Sequence, residues 1–210
     1  MARTGRLAEL LIEEPVAPAE HGTRAALTAL ALLSLGDLGA IAHLERARAE
    51  GAAPAVVDFL LGVARAVQNR DADAIARWRA ALDAGLPREC VAQWLAEAYL
   101  RSRDFARAAD ALQDVDLTAS PALQTTLAAV RIATQRESDA ITLLDALVAR
   151  TPTDPDAQWL LLHAMYAQLV TAPNGPNRDR FVQQARRYVE ANGRNAPLAA
   201  EWLKQITNHK

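Results

Sequence analysis

Residues 89–122 read ECVAQWLAEAYLRSRDFARAADALQDVDLTASPA. Leu95, Ala96 and Tyr99 fall in a first helical segment near 88–102, and Ala108 and Leu112 in a second near 104–115. The same layout recurs on both sides of this stretch. Leu27, Leu61, Leu95, Leu127 and Leu162 follow one another at steps of 34, 34, 32 and 35 residues. Ala40, Ala74, Ala108 and Ala140 each follow one of the first four leucines by thirteen residues. A period of this length indicates helical hairpins, none of which can bury its apolar face alone.

Composition agrees with an all-α chain. Of the 210 residues, 51% are hydrophobic, and these are mostly Ala and Leu, both good helix formers. No long stretch alternates apolar and polar residues. Proline and glycine fall between segments of helical spacing. The spacing predicts helices near 5–14, 21–35, 37–50, 54–69, 71–84 and 88–102, then 104–115, 119–135, 137–150, 154–171, 177–192 and 195–208. Short connections make consecutive helices antiparallel. Asp37, Asp71 and Asp104 stand at the starts of second helices, where a carboxylate accepts the free N–H groups of the first turn. Asp154 and Asp156 flank Pro155 in the same way.

The unit resembles the tetratricopeptide repeat, whose signature is W-x2-L-G-x2-Y, then A-x3-F, then P, over 34 residues. The copy at 89–122 supplies Leu95, Ala96, Tyr99, Ala108 and Leu112. The copy at 55–88 supplies Leu61, Gly62, Ala74, Trp78 and Ala81, and that at 121–154 supplies Leu127, Ala128, Ala140, Leu144 and Pro152. The copy at 21–54 has Leu27, Ala40, Leu44 and Ala47. The last, over 156–197, opens with Trp159, Leu162 and Tyr166, then carries extra residues over 171–180 before Ala185, Val189 and Pro197. Small residues let the two helices of a unit approach, and large ones fill the gap to the next. His163 departs from the family by occupying the small site of the last copy, which bears on how closely that hairpin can pack.

The resemblance implies a right-handed superhelical α-solenoid, a single array over 1–210 of about twelve helices. Leu10 and Pro18 match the end of an upstream unit, so 1–20 reads as a partial or capping repeat and the chain as a fragment or one with a degenerate cap. Residues 195–210, with Trp202 and Leu203 facing inward, read as a C-terminal capping helix.

In the family, peptides lie in a concave groove lined by first helices. The resemblance places Val56, Phe59, Val63, Ala66 and Val67 there, then Cys90, Gln93, Glu97, Leu100 and Arg101. Further along it places Ala122, Thr125, Ala129, Ile132 and Ala133, then Ala157, Leu160, Ala164, Ala167 and Gln168. Trp94 lies off the signature and is added to the groove. The lining is mainly apolar and small. The chaperone-tail-binding members use Lys, Asn and Arg there, types absent here apart from Arg101. Such a lining suits either a docking face or a closed core.

No catalytic constellation is present. His21, His43, His163 and His209 lack the H-E-x-x-H spacing, and there is no glycine-rich phosphate loop. His43 reads as a surface residue and His163 as a packed one. Cys90, the one cysteine, reads as a small buried or half-buried side chain. The paired carboxylates Asp71/Asp73, Asp114/Asp116 and Asp154/Asp156 read as helix-end residues. Neither a metal nor a cofactor is expected.

The net charge of −2 points to no strong nucleic-acid preference, and no apolar run is long enough to span a bilayer. Residues 171–210 are nevertheless basic, with Arg178, Arg180, Arg186 and Arg187 as a candidate patch for an acidic ligand. Arginine supplies 21 of the 23 basic residues, a bias suggestive of a GC-rich bacterial genome. The expectation is a non-enzymatic scaffold binding a helix or peptide, in the cytoplasm or as the soluble part of a longer exported or anchored protein. The alternatives are a regulatory or assembly domain of a larger protein, a homodimer, and the acidic-ligand reading.

Overall fold

A computed structural model of the chain describes residue 32, residues 39–116 and residues 120–208. The described residues form ten α-helices and no strand. The predicted segment 5–14, most of 21–35, and Asp37 lie outside them. The helices are α1 (Ala40–Ala49), α2 (Pro54–Val67), α3 (Asp71–Asp83), α4 (Arg88–Arg101) and α5 (Phe105–Ala111). They continue with α6 (Pro121–Ala133), α7 (Glu137–Arg150), α8 (Pro155–Thr171), α9 (Arg178–Glu190) and α10 (Ala196–Asn208). Each falls on a segment the spacing predicts. The largest departure is α5, which stops at Ala111 and not near 115. Leu112–Asp114 turn instead, and Asp114 adopts a left-handed φ of 60°.

Two compact units divide the chain, Met1–Arg103 and Asp104–Lys210. In the first, α1 packs on α2, α2 on α3, and α3 on α4. In the second, α5 packs on α6, and each later helix packs on the one before it. There α6 also touches α8, and α8 touches α10.

Most of the periodic residues are buried, and Leu27 lies outside the described residues. Ala40, Ala74, Ala108 and Ala140 are each 0% exposed. Leu61, Leu95 and Leu162 are buried, whereas Leu127 is half-buried. Gly62 of α2 lies against Trp78 of α3, and a Cβ there would stand 2.3 Å from the indole Nε1. The small residue therefore admits a fully buried tryptophan into the helix pair.

The turns repeat as well. Asn69, Arg103 and Gln135 have left-handed φ values of 57°, 60° and 59°, at steps of 34 and 32 residues. Gly51 and Gly85, 34 residues apart, have φ of 85° and 92°. At four of these five turns the next residue donates to the carbonyl five residues back: Ala52 to Ala47, Arg70 to Arg65, Leu86 to Ala81 and Arg136 to Arg131. This is the Schellman closure, which satisfies orphan carbonyls and ends the helix with a left-handed residue.

Helix starts follow the expectation in part. The Asp104 carboxylate accepts from Arg107 N–H, and that of Asp154 from Asp156 and Ala157 N–H. Asp71 does not cap: it is the first residue of α3, and its carboxylate is taken by Arg101. Ser120 is a further cap, accepting from Leu123 N–H. The insertion expected over 171–180 is shorter as a loop. Thr171 still belongs to α8, Arg178 opens α9, and only 172–177 connect them.

Candidate functional site

Val56, Phe59, Val63 and Val67 are spaced at three to four residues on α2, so they form one stripe along the helix. The stripe is not fully covered. Val56 is 43% exposed and Val67 51%, while Phe59 and Val63 are half-buried. On α4, Trp94 is 37% exposed. Its ring meets Phe59 edge to face at 6.2 Å and tilts against Trp78 at 5.9 Å. The Trp78 indole N–H in turn donates to the Phe59 carbonyl at 3.2 Å. Three aromatic residues from α2, α3 and α4 thus join two predicted groove residues, Phe59 and Trp94, at one place.

The polar residues on this face are already engaged. Gln93 donates to the Glu97 carboxylate at 2.8 Å. Arg101 grips Asp71 through Nε and Nη2 at 2.7–3.1 Å, a bidentate pair joining the end of α4 to the start of α3. Hydrogen bonding to Asp71 raises the Arg101 pKa further above its ordinary value. Leu100 is half-buried between them in sequence. Cys90 is exposed, contrary to the expectation of a covered thiol. It sits in the first turn of α4, while Val91, Ala92 and Leu95 face the core.

Groove residues of the second unit are better covered. Thr125 donates its hydroxyl to the Ala122 carbonyl at 2.8 Å, and Ala129 is half-buried. Ile132 and Leu160 pack against the core of α7–α10, and Ala157 and Ala164 are fully buried. Here four of the ten predicted lining residues, Ile132, Ala157, Leu160 and Ala164, belong to the helix packing itself, and Ala122 is exposed.

Two of the four arginines in the basic patch hold the fold. Arg178 donates to the Ile206 carbonyl at 2.9 Å and to Asn174 at 3.1 Å. Arg180 forms a bidentate pair with Asp145 of α7. Arg186 and Arg187 are exposed. His43 is exposed and His163 half-buried, as expected. The His163 ring stacks near Trp159 at 6.3 Å and Trp202 at 5.4 Å, and burial lowers its pKa below the usual value of 6.5. Trp202 also stacks on Trp159 at 4.9 Å and on Tyr166 at 4.3 Å. The large residue at this site is thereby accommodated against α10.

Spacing gave no sign of Asp58. It lies on α2, 3% exposed, with Arg77 of α3 at 3.0 Å and Arg48 at 3.4 Å. The three residues are ten and nineteen positions apart, separations to which no helical pattern assigns a meaning.

Among the described residues no cluster of His, Cys, Asp and Glu could hold a metal ion. Among them too, no helix is long and apolar enough to cross a membrane. Compared with models of known families, with curated proteins and with solved structures, the chain matches none.

Proposed function

We propose that this chain is a non-catalytic scaffold of the tetratricopeptide type that binds a helix or extended segment of another protein. The observation that carries the reading is where apolar surface is left open. Of the five large apolar side chains that are exposed among the described residues, Val56, Val67 and Trp94 lie on α2 and α4. Helices of a soluble array normally turn such residues inward, and a contiguous exposed set marks an interaction face. Phe59, Val63 and Leu100 supply the half-buried floor. Gln93, Glu97 and the Arg101–Asp71 pair form a polar rim, a division common in interfaces.

The superhelical arrangement is part of the same proposal. It is supported by the buried alanines at the repeat step, by left-handed turn residues in register with them, and by the contacts of α6 with α8 and α8 with α10. Unit-to-unit stacking of this kind generates extended binding surfaces. The acidic-ligand reading is weaker, because Arg178 and Arg180 are committed to internal partners.

The test uses the most exposed positions, since Phe59 and Val63 also support the fold. A photo-crosslinking residue at Val67 should trap a distinct partner in the native cell, identified by mass spectrometry. The purified partner should then bind the wild-type chain and lose at least about tenfold in affinity to Val56→Asp/Val67→Asp. The double variant should keep its helical circular dichroism. Undiminished binding by that folded variant removes the α2–α4 face as the docking site.

A further inference from the structure

We propose that the cleft between α7, α8 and α9 is a binding site for a small amphipathic carboxylate, such as a medium-chain fatty acid. The cleft has a volume of about 270 Å³. Its apolar walls are Val148 of α7, Leu161 and Leu162 of α8 and Tyr188 of α9. At the rim stand Gln158, Gln184 and Arg187. The site is distinct from the α2–α4 face and does not depend on it.

The cleft lies where the last helix pair departs from the earlier one. In the α2–α3 pair, Gly62 lets Trp78 into direct contact with the helix backbone. The corresponding site of α8 holds His163, whose ring is turned into the Trp159–Trp202 stack. α8 and α9 pack less extensively than α2 and α3, and six residues connect them in place of three. An opening remains beside Leu161 and Leu162, both 2% exposed or less.

Its chemistry is divided. The interior offers aliphatic carbon and one aromatic ring, suited to a hydrocarbon tail. Tyr188 is held in place by its tilted contact with Trp159 at 5.7 Å and by its hydroxyl, which accepts from Asn195 N–H at 3.4 Å. At the rim, Arg187 has no ion-pair partner among the described residues, and neither does the Gln184 amide have a hydrogen bond there. By contrast, Arg180 on the same helix is saturated by Asp145. Arg186 stands next to Arg187 near the end of α9, with Glu190 as the acidic residue of that turn, so the cleft end of the helix is net positive. A guanidinium presents a planar fork that fits a carboxylate in two parallel hydrogen bonds. The Gln184 amide adds a donor beside it. A neutral tail of equal size would cover Arg187 without pairing it, and an ammonium head would be repelled.

The test is a titration of the whole chain with sodium octanoate, octan-1-ol and octylamine, followed by amide chemical shifts. Octanoate should give saturable shifts at residues 158–162 and 184–191, with a dissociation constant on the order of millimolar or tighter. At equal concentration the alcohol and the amine should perturb these amides far less. Arg187→Gln, a change at an exposed side chain, should weaken octanoate about tenfold and bring it to the level of the alcohol. Val148→Phe should block all three by filling the cleft, and if it fails to fold the Arg187 variant decides alone. Absence of saturable shifts at these residues overturns the site. Equal binding of octanoate and octan-1-ol, unaffected by Arg187→Gln, overturns the assignment of a carboxylate.

Discussion

Gly62 illustrates how a single atom sets the distance between helices. A methyl group there would overlap the rigid indole of Trp78, which is 0% exposed. Alanine is the better helix former by about 1 kcal/mol, yet overpacking of a closed core costs roughly 1–3 kcal/mol. Gly62→Ala should therefore lower the urea midpoint, against helix propensity. In combination with Trp78→Phe its cost should fall well below the sum of the two single changes. An unchanged or raised midpoint for the single variant would contradict the contact. Asp58 works differently: Arg48 and Arg77 both donate to one oxygen of its buried carboxylate, and removing a partner from a buried charge is costly.

At the level of elements, helix ends share one design with two kinds of residue. Gly51 and Gly85 occupy the left-handed position without strain, and open space surrounds each. Asn69, Arg103 and Gln135 occupy the equivalent conformation with a Cβ, which costs about 1 kcal/mol or more. The two groups should respond in opposite senses. Gln135→Gly should stabilise by up to about 1 kcal/mol, a few degrees in melting temperature, whereas Gly85→Ala should destabilise by about the same. Thermal melts followed by circular dichroism distinguish the signs. If both changes shift the melt in one direction, left-handed strain is not what separates these turns.

At the scale of the molecule, each unit has its own core, and the second is closed by α10 through Trp202 and Ile206. His163 lies in that closure, where burial holds its pKa below the usual histidine value. Burial lowers its folded pKa, so below about 6.5 the unfolded chain takes up the proton first. The contribution of the neutral ring is complete above that value and is lost as pH falls towards and through the folded pKa. The denaturation midpoint should accordingly decline as pH falls below about 6.5. His163→Phe, which keeps an aromatic ring in the stack, should flatten the decline while leaving the other histidines unchanged. Equal slopes for the two proteins would exclude His163 as the source.

The helices, their order and the buried alanines were legible from the sequence, because burial on a helix follows a local period of 3.6 residues and the unit repeats it. Small sites such as Gly62 were legible for the same reason, and so was the packed character of His163. The exposed surface was only half legible. Spacing placed Val56, Val67, Thr125 and Leu160 alike on first helices. The fold left the first two open and covered the last by packing it against α7–α10. That difference depends on what neighbouring helices bring to each face, and neighbours are set by tertiary contact. The Arg101–Asp71 and Arg180–Asp145 pairs, the Asp58 cluster and the cleft beside Tyr188 arise likewise between residues ten to 40 positions apart. The sequence alone therefore determined an all-helical chain and the places of its helices. Which of its apolar and charged residues remain available to a ligand was decided only by the packing of one helix on another.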